Sequence, residues 1–139
     1  MEVRYLMKTV RLEGITLLAD DVARLARFYQ DVLGFDIVVE EDHYVEFRNE
    51  GVRLAICSKS LMSENTNGYS SFGEIRKGQA VELNFQCDSP DQVYALYAEF
   101  VSKGAIDVTA PQIKSWGHTT GFFGDPEGNV HSIFAVNPA

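Results

Sequence analysis

The sequence has little of what usually announces redox, metal or covalent chemistry. Its 139 residues hold two cysteines, Cys57 and Cys87, and three histidines, with no C-x-x-C pair and no His-rich tract. That excludes a disulfide framework and a zinc ribbon. Both cysteines sit in apolar strand-like runs and read as buried thiols of a reducing compartment. Basic residues are also scarce, 12 Lys and Arg against 20 Asp and Glu, and the net charge of -8 argues against nucleic acid or an anionic membrane surface as the main partner. No apolar run approaches the length of a membrane span, and Met1–Lys8 contains no apolar core of signal-peptide length. A cytoplasmic protein is expected, and Met7 leaves residues 1–6 open as a dispensable extension. No Ser-His-Asp or Cys-His arrangement falls at workable positions, and the glycines belong to turns and form no phosphate loop.

What is present is a globular composition, 45% hydrophobic and 12% aromatic, long enough for one domain or two small repeats sharing a core. From Val10 to Ala19 the chain alternates as a strand, with Ile15, Leu17 and Ala19 on one face. Asp20 or Asp21 then caps a helix whose apolar stripe is Val22, Leu25, Ala26, Tyr29, Val32 and Leu33, widened by Phe28 and stopped by Gly34. Short strands are expected at Phe35–Glu40, His43–Arg48 and Val52–Ser58, joined by plausible hairpin turns. Residues 59–78 are polar and without a sustained period, and read either as a binding loop or as a plain linker.

The second half repeats the first. Adding 68 to a position carries Gly14 to Glu82, Ala19 to Cys87, Leu25 to Val93, Tyr29 to Tyr97 and Val32 to Phe100. A strand over residues 79–88 is followed by a helix capped at Asp88 or Ser89, with Pro90 in its first turn and Gly104 past its end. Strands near Ile106–Ile113, His118–Gly124 and Asn129–Val136 complete the unit, the last hairpin closed by Asp125-Pro-Glu-Gly128. Adding 77 carries Gly51 to Gly128 and Ala55 to Ser132. The expected organisation is one α+β domain over 10–139, made of two βαβββ modules, 10–58 and 79–136, joined by the 59–78 loop.

Each sheet of such a chain buries one face under its helix, and the opposite faces are expected to curve around a shared cleft. In the fifth strand Val81, Leu83, Phe85 and Cys87 would lie under the helix, leaving Glu82, Asn84 and Gln86 toward the cleft. His131 would point under the helix as a satisfied core histidine, and His43 reads as a solvated surface group. Of Phe122 and Phe123, at most one faces the cleft.

The stretches Ile15-Thr-Leu-Leu-Ala-Asp-Asp21 and Arg27-Phe-Tyr-Gln-Asp-Val-Leu-Gly-Phe35 carry a resemblance to a known family. So do Val81-Glu-Leu-Asn-Phe85, Trp116-Gly117 and Gly124-Asp-Pro-Glu-Gly-Asn-Val130. From Arg11 onward the chain resembles the vicinal oxygen chelate superfamily, the glyoxalase, bleomycin-resistance and extradiol-dioxygenase group. Metal-dependent members hold a divalent ion with four side chains from the first and fourth strands of each module. The resemblance places those positions on Gly14, Ala55, Glu82 and Ser132, of which only Glu82 is a strong ligand, so no metal and no cofactor is expected. A rearranged site using His118 or His131 is the alternative.

The resemblance then implies the metal-free branch, in which a homodimer forms clefts that sequester a bulky, often cationic small molecule. The ligand-binding candidates are Glu82, Asn84, Gln86, Thr16, Ser132 and Trp116, with Tyr69 and Phe72 in the loop that could cover the opening. Trp116 has ordinary edge packing as its other reading. Glu82 admits three: an anchor for a ligand amine or guanidinium, a general base in a lyase, isomerase or dioxygenase, or a residual carboxylate tied to Asn84, Thr16 or Ser132. A partner-binding module with a closed cleft is a further possibility.

Overall fold

The structure is a computed structural model, and it describes residues 10–139. The possible extension at residues 1–6 lies outside the described residues.

The chain runs β1 (Gly14–Ala19), α1 (Val22–Arg27), β2 (Ile37–Glu40), β3 (Tyr44–Phe47) and β4 (Arg53–Ser58), then α2 (Lys59–Asn65). It continues with β5 (Asn84–Gln86), α3 (Pro90–Ser102), β6 (Ile106–Ile113), β7 (His118–Gly124) and β8 (Val130–Val136). Two four-stranded mixed sheets result, ordered β1-β4-β3-β2 and β5-β8-β7-β6, with β1–β4 and β5–β8 parallel and the other pairs antiparallel. The two sheets therefore have the same topology, as the internal repeat requires.

Local chemistry explains the helix limits. The Asp21 carboxylate accepts from Arg24 N and starts α1, and Gly34 takes φ +83° where a side chain would be strained. Between them Phe28–Val32 forms a π-helical turn, which lets both Phe28 and Tyr29 be buried side by side. Ser89 caps α3 through Gln92 N, Pro90 occupies its first turn, and Gly104 follows it at φ +112°.

Three expectations need correction. The 59–78 segment is not a structureless loop. Ser58, at the end of β4, accepts from Leu61 N and nucleates α2, and a 3₁₀ turn follows at Ser70–Gly73. The fifth strand is only three residues long, because upstream of it a single main-chain bond, Ser132 N to Leu83 O at 3.0 Å, is left and side chains take the other places in the ladder. Gln79 donates from Nε2 to Val130 O and accepts at Oε1 from Val130 N, while Leu83 N donates to His131 Nδ1. Val81, expected under the helix, is accordingly 66% exposed.

The third correction concerns the arrangement of the sheets. The helix-bearing faces of both sheets meet in one core, where Phe28 stacks on Phe123 at 6.4 Å, Phe35 tilts against Phe85 at 5.8 Å and Tyr29 meets His131 edge-on at 6.3 Å. The opposite faces are thereby turned away from each other, and among the described residues they enclose no common cleft. What lies between the modules is instead the partly open seam of this apolar core.

Candidate functional site

That seam opens at the edge strand β5 into a cleft of about 760 Å³, within the usual range for small-molecule sites. Its walls are apolar and come from both modules, Ile15, Leu33, Phe35 and Leu54 on one side and Leu83, Phe85, Leu96 and Phe100 on the other. Its polar lining includes Arg53 with Glu50 from the first module and Glu82, Asn84 and Gln86 from the second. Because β5 is an edge strand, its side chains reach the cleft from one side and solvent from the other.

Glu82 is exposed, and among the described residues its carboxylate has no hydrogen-bond partner. The reading in which Thr16, Asn84 or Ser132 ties it down is overturned, because Ser132 Oγ donates instead to Asn84 Oδ1 at 2.7 Å. Those two residues are register partners on β8 and β5, so the bond spans adjacent strands on the outward face.

Other expected site residues are dispersed. Thr16 and Phe72 line a second cavity, of about 1030 Å³, between β1 and the 71–77 segment, together with Leu18, Arg76, Val81 and Glu127. The long segment therefore covers the β1 side of the molecule, held there by Arg76 Nη1 donating to Asn129 Oδ1. Tyr69 rests edge-on against Phe72 at 6.3 Å but is 64% exposed and lines neither cavity. Trp116 also lines neither, being 60% exposed with Lys114 Nζ 6.0 Å from its ring centre. Trp116 thus stands apart from both described cavities.

The outward face of the second sheet carries groups that strand alternation could have identified. Asn84, Ser132 and Phe122 form one row across the strands, and Gln86, Phe134 and Thr120 the next. His118 stacks on Phe134 at 4.8 Å, and Thr120 Oγ1 is buried without a partner among the described residues. Phe123 is fully buried in the core and Phe122 lies on the outward face, as alternation required.

On the first sheet the outward face holds a hydrogen-bonded chain that sequence reasoning missed. Arg53 Nε donates to both oxygens of Glu13, at 3.2 and 2.9 Å, and Nη1 donates to Tyr44 Oη at 2.8 Å. Tyr44 in turn donates to Glu46 Oε1 at 2.8 Å. Desolvation and the bond to Glu46 push the Tyr44 phenol above its ordinary pKa. The alternation of Tyr44 and Glu46 with core residues Val45 and Phe47 was the available signal.

These residues do not fit a divalent metal. At the four positions implied by the resemblance, Gly14 has no side chain and lies beneath the Arg53 guanidinium, and Ala55 offers no donor. Ser132 is engaged with Asn84, and Glu82 is a single carboxylate. A guanidinium at one corner adds repulsion to the missing ligands. Among the described residues no group of three or more His, Cys, Asp or Glu side chains is arranged to hold a metal ion. His131 is not a rearranged ligand but a core histidine, 1% exposed and bonded to Leu83 N and Tyr29 Oη. His43 is exposed, with Nδ1 2.9 Å from Ser58 Oγ.

Comparison with known proteins agrees with the fold. The family model described as Glyoxalase/Bleomycin resistance protein/Dioxygenase superfamily matches residues 11–133. Among solved structures, a glyoxalase/bleomycin resistance protein/dioxygenase from Nocardioides superposes with a TM-score of 0.82 at 21% identity, covering 99% of this chain and 92% of that one. A family enzyme from Burkholderia phytofirmans PsJN gives 0.82 at 22% identity, covering 91% and 99%. A lactoylglutathione lyase from Agrobacterium tumefaciens gives 0.67 at 21% identity, covering 92% and 95%. At these identities the structures establish the fold alone. No curated protein matches the sequence.

Proposed function

The chain belongs to the glyoxalase/bleomycin resistance protein/dioxygenase superfamily, and on that premise we propose that it is a metal-free binding protein for a small cationic or aromatic molecule. The observation that carries this reading is the Glu82 carboxylate, exposed and, among the described residues, without a partner at the lip of an apolar cleft. A carboxylate so placed pairs with an ammonium or guanidinium by a charge-assisted hydrogen bond, while Phe35, Phe85 and Leu96 receive the apolar body. The net charge of -8 steers a cation toward the protein.

The role that follows is sequestration, carried out in the cytoplasm. It would be performed by a homodimer, because the outward sheet faces with Ser132, Asn84 and Thr16 need a second copy to become a closed cleft. Among the described residues no helix is long and apolar enough to cross a membrane. The enzyme alternative, with Glu82 as general base, gains no support from an exposed carboxylate that has no positioning partner among the described residues.

Calorimetric titration with benzylamine and naphthylmethylamine tests the reading. Glu82→Gln is expected to weaken binding by about tenfold, the loss of one charged hydrogen bond. Unchanged affinity in Glu82→Gln, or a stoichiometric divalent ion in the purified protein, would overturn it.

A further inference from the structure

We propose that Arg53 is a receptor for an anionic group, a carboxylate or a phosphate monoester, on the molecule this protein binds. The ground is the contact between Arg53 and Gly14, register partners on β4 and β1. A Cβ built on Gly14 would lie 2.5 Å from Nη2, 2.9 Å from Cζ and 3.0 Å from Nε, so the guanidinium lies across the glycine and occupies the space of its missing side chain. Gly14 has no positive φ, so the backbone does not demand glycine there. The guanidinium instead fills the space that a side chain would take.

The guanidinium is held from two directions. Glu13 takes Nε, and Tyr44 takes Nη1 while its own proton goes to Glu46, which fixes the orientation of the phenol. Among the described residues Nη2 has no acceptor, and the Arg53 side chain remains 32% exposed. An ordinary surface ion pair loses side-chain entropy for little return and needs no such support. Here a long side chain lies on a bare stretch of backbone with Nη2 unused, and Nη2 with the neighbouring Nε, now held by Glu13, forms the edge suited to two parallel N–H bonds to a planar oxyanion.

Glu13 is 65% exposed, and its carboxylate covers Nε. It acts as a placeholder: a ligand oxyanion bonds Nη2 first and takes Nε when Glu13 swings into solvent. A protein-supplied cation thus stands beside Gly14, a position the family resemblance assigns to a metal ligand. Arg53 also lines the cleft that carries Glu82. Taken with the reading of Glu82 given above, on which this clause alone rests, the ligand is amphoteric, with an apolar body, an anionic group on Arg53 and a cationic group on Glu82.

The test is calorimetric titration of the full chain with benzoate, phenyl phosphate, inorganic phosphate and benzylamine, at constant ionic strength. The expected results are that benzoate or phenyl phosphate binds, that Arg53→Gln weakens it at least about tenfold, and that Glu13→Gln tightens it several-fold by removing the competitor. Gly14→Ala, which drives the guanidinium off its seat, weakens it as well. Preference between benzoate and phenyl phosphate distinguishes a carboxylate from a phosphate source, and inorganic phosphate binding alone to Arg53 places the recognition in the oxyanion without the apolar body. Anion binding equal in wild type and Arg53→Gln, no anion binding at all, or Glu13→Gln without effect overturns the proposal. Benzylamine reports on Glu82 independently: its loss in Glu82→Gln with benzoate unaffected by Arg53→Gln sinks this inference and leaves the proposed function standing, and the reverse pattern does the opposite.

Discussion

The hydroxyl of Tyr29 lies 2.8 Å from both Asp125 Oδ2 and His131 Nε2, tying the helix of the first module to the last hairpin of the second. The direction of each bond follows from the far side of the imidazole. Leu83 N–H donates to His131 Nδ1, so the proton of the neutral ring sits on Nε2 and is donated to Tyr29 Oη, whose own proton goes to Asp125. Every polar atom of the buried trio is satisfied, and burial together with the Asp125 charge keeps the Tyr29 phenol protonated far above its usual range.

Replacing Tyr29 with Phe removes an acceptor from His131 and a donor from Asp125 while leaving the ring in place. The expected cost is about 1–3 kcal/mol, the penalty for unpaired buried polar groups. Urea unfolding followed by circular dichroism measures it, and a cost near zero would mean that the trio does not hold the modules together.

Asp125 couples stability to acid. Burial pushes its carboxyl pKa up, but the His131 ring, with Nε2 3.5 Å from Oδ2, and hydrogen bonds from Asn129 (side chain and backbone) and from Tyr29 outweigh burial and hold it below the ordinary value. A depressed folded pKa contributes stability that is fully present above the unfolded carboxylate value, about 3.9, and is lost as pH falls through the lower folded value. The melting temperature is therefore expected to drop below about pH 4. In Asp125→Asn that acid limb should be shallower and neutral-pH stability lower; melting curves from pH 2 to 7 decide.

Gly121→Ala tests the packing of α3 on the second sheet. The added methyl would meet Tyr97 Cδ2 at 2.9 Å and Pro111 Cγ at 3.0 Å. Tyr97 has little freedom to retreat, because its hydroxyl donates to Phe122 O at 2.8 Å and bonds Asp107. Overpacking of this kind is expected to cost about 1–3 kcal/mol. Gly73→Ala, which meets nothing within 4 Å, is the control and should leave unfolding unchanged.

Divalent nickel, zinc, iron and manganese should leave thermal stability where it is. A bound ion at one hundred times its dissociation constant would add about 2.7 kcal/mol. Thermal melts with each metal, and after chelation, are expected to superpose; a clear rise with any one of them would contradict the donor set at Gly14, Ala55, Glu82 and Ser132.

Much of the fold was legible because its signals are short-range. Asp20 or Asp21 and Asp88 or Ser89 as caps, Gly34 and Gly104 as stops, and the alternation that put His131 and one of Phe122 and Phe123 in the core each depend on a few neighbouring residues. The offsets of 68 and 77 are mirrored in the registers, where Thr16 faces Ala55 as Asn84 faces Ser132. The candidate site was less legible. Glu82, Asn84 and Gln86 do share the lip of one cleft, but Thr16 and Phe72 line another, and Trp116 and Tyr69 line neither. Nothing local marks Arg53 as the side chain that lies over Gly14, or Gln79 as the side chain that stands in for a strand beside Val130.

The sequence by itself determined two like modules, the residues each sheet buries under its helix apart from Val81, and the loss of three metal-ligand positions implied by the family resemblance. Those follow from periodicity and side-chain chemistry, which act over a turn of helix or a pair of strands. Only the tertiary structure decided that the two helix faces share one core and that the polar faces turn outward. Long-range packing of Phe28 on Phe123 and Phe35 on Phe85 sets that relation, since either face-to-face arrangement of the modules satisfies the same local pattern.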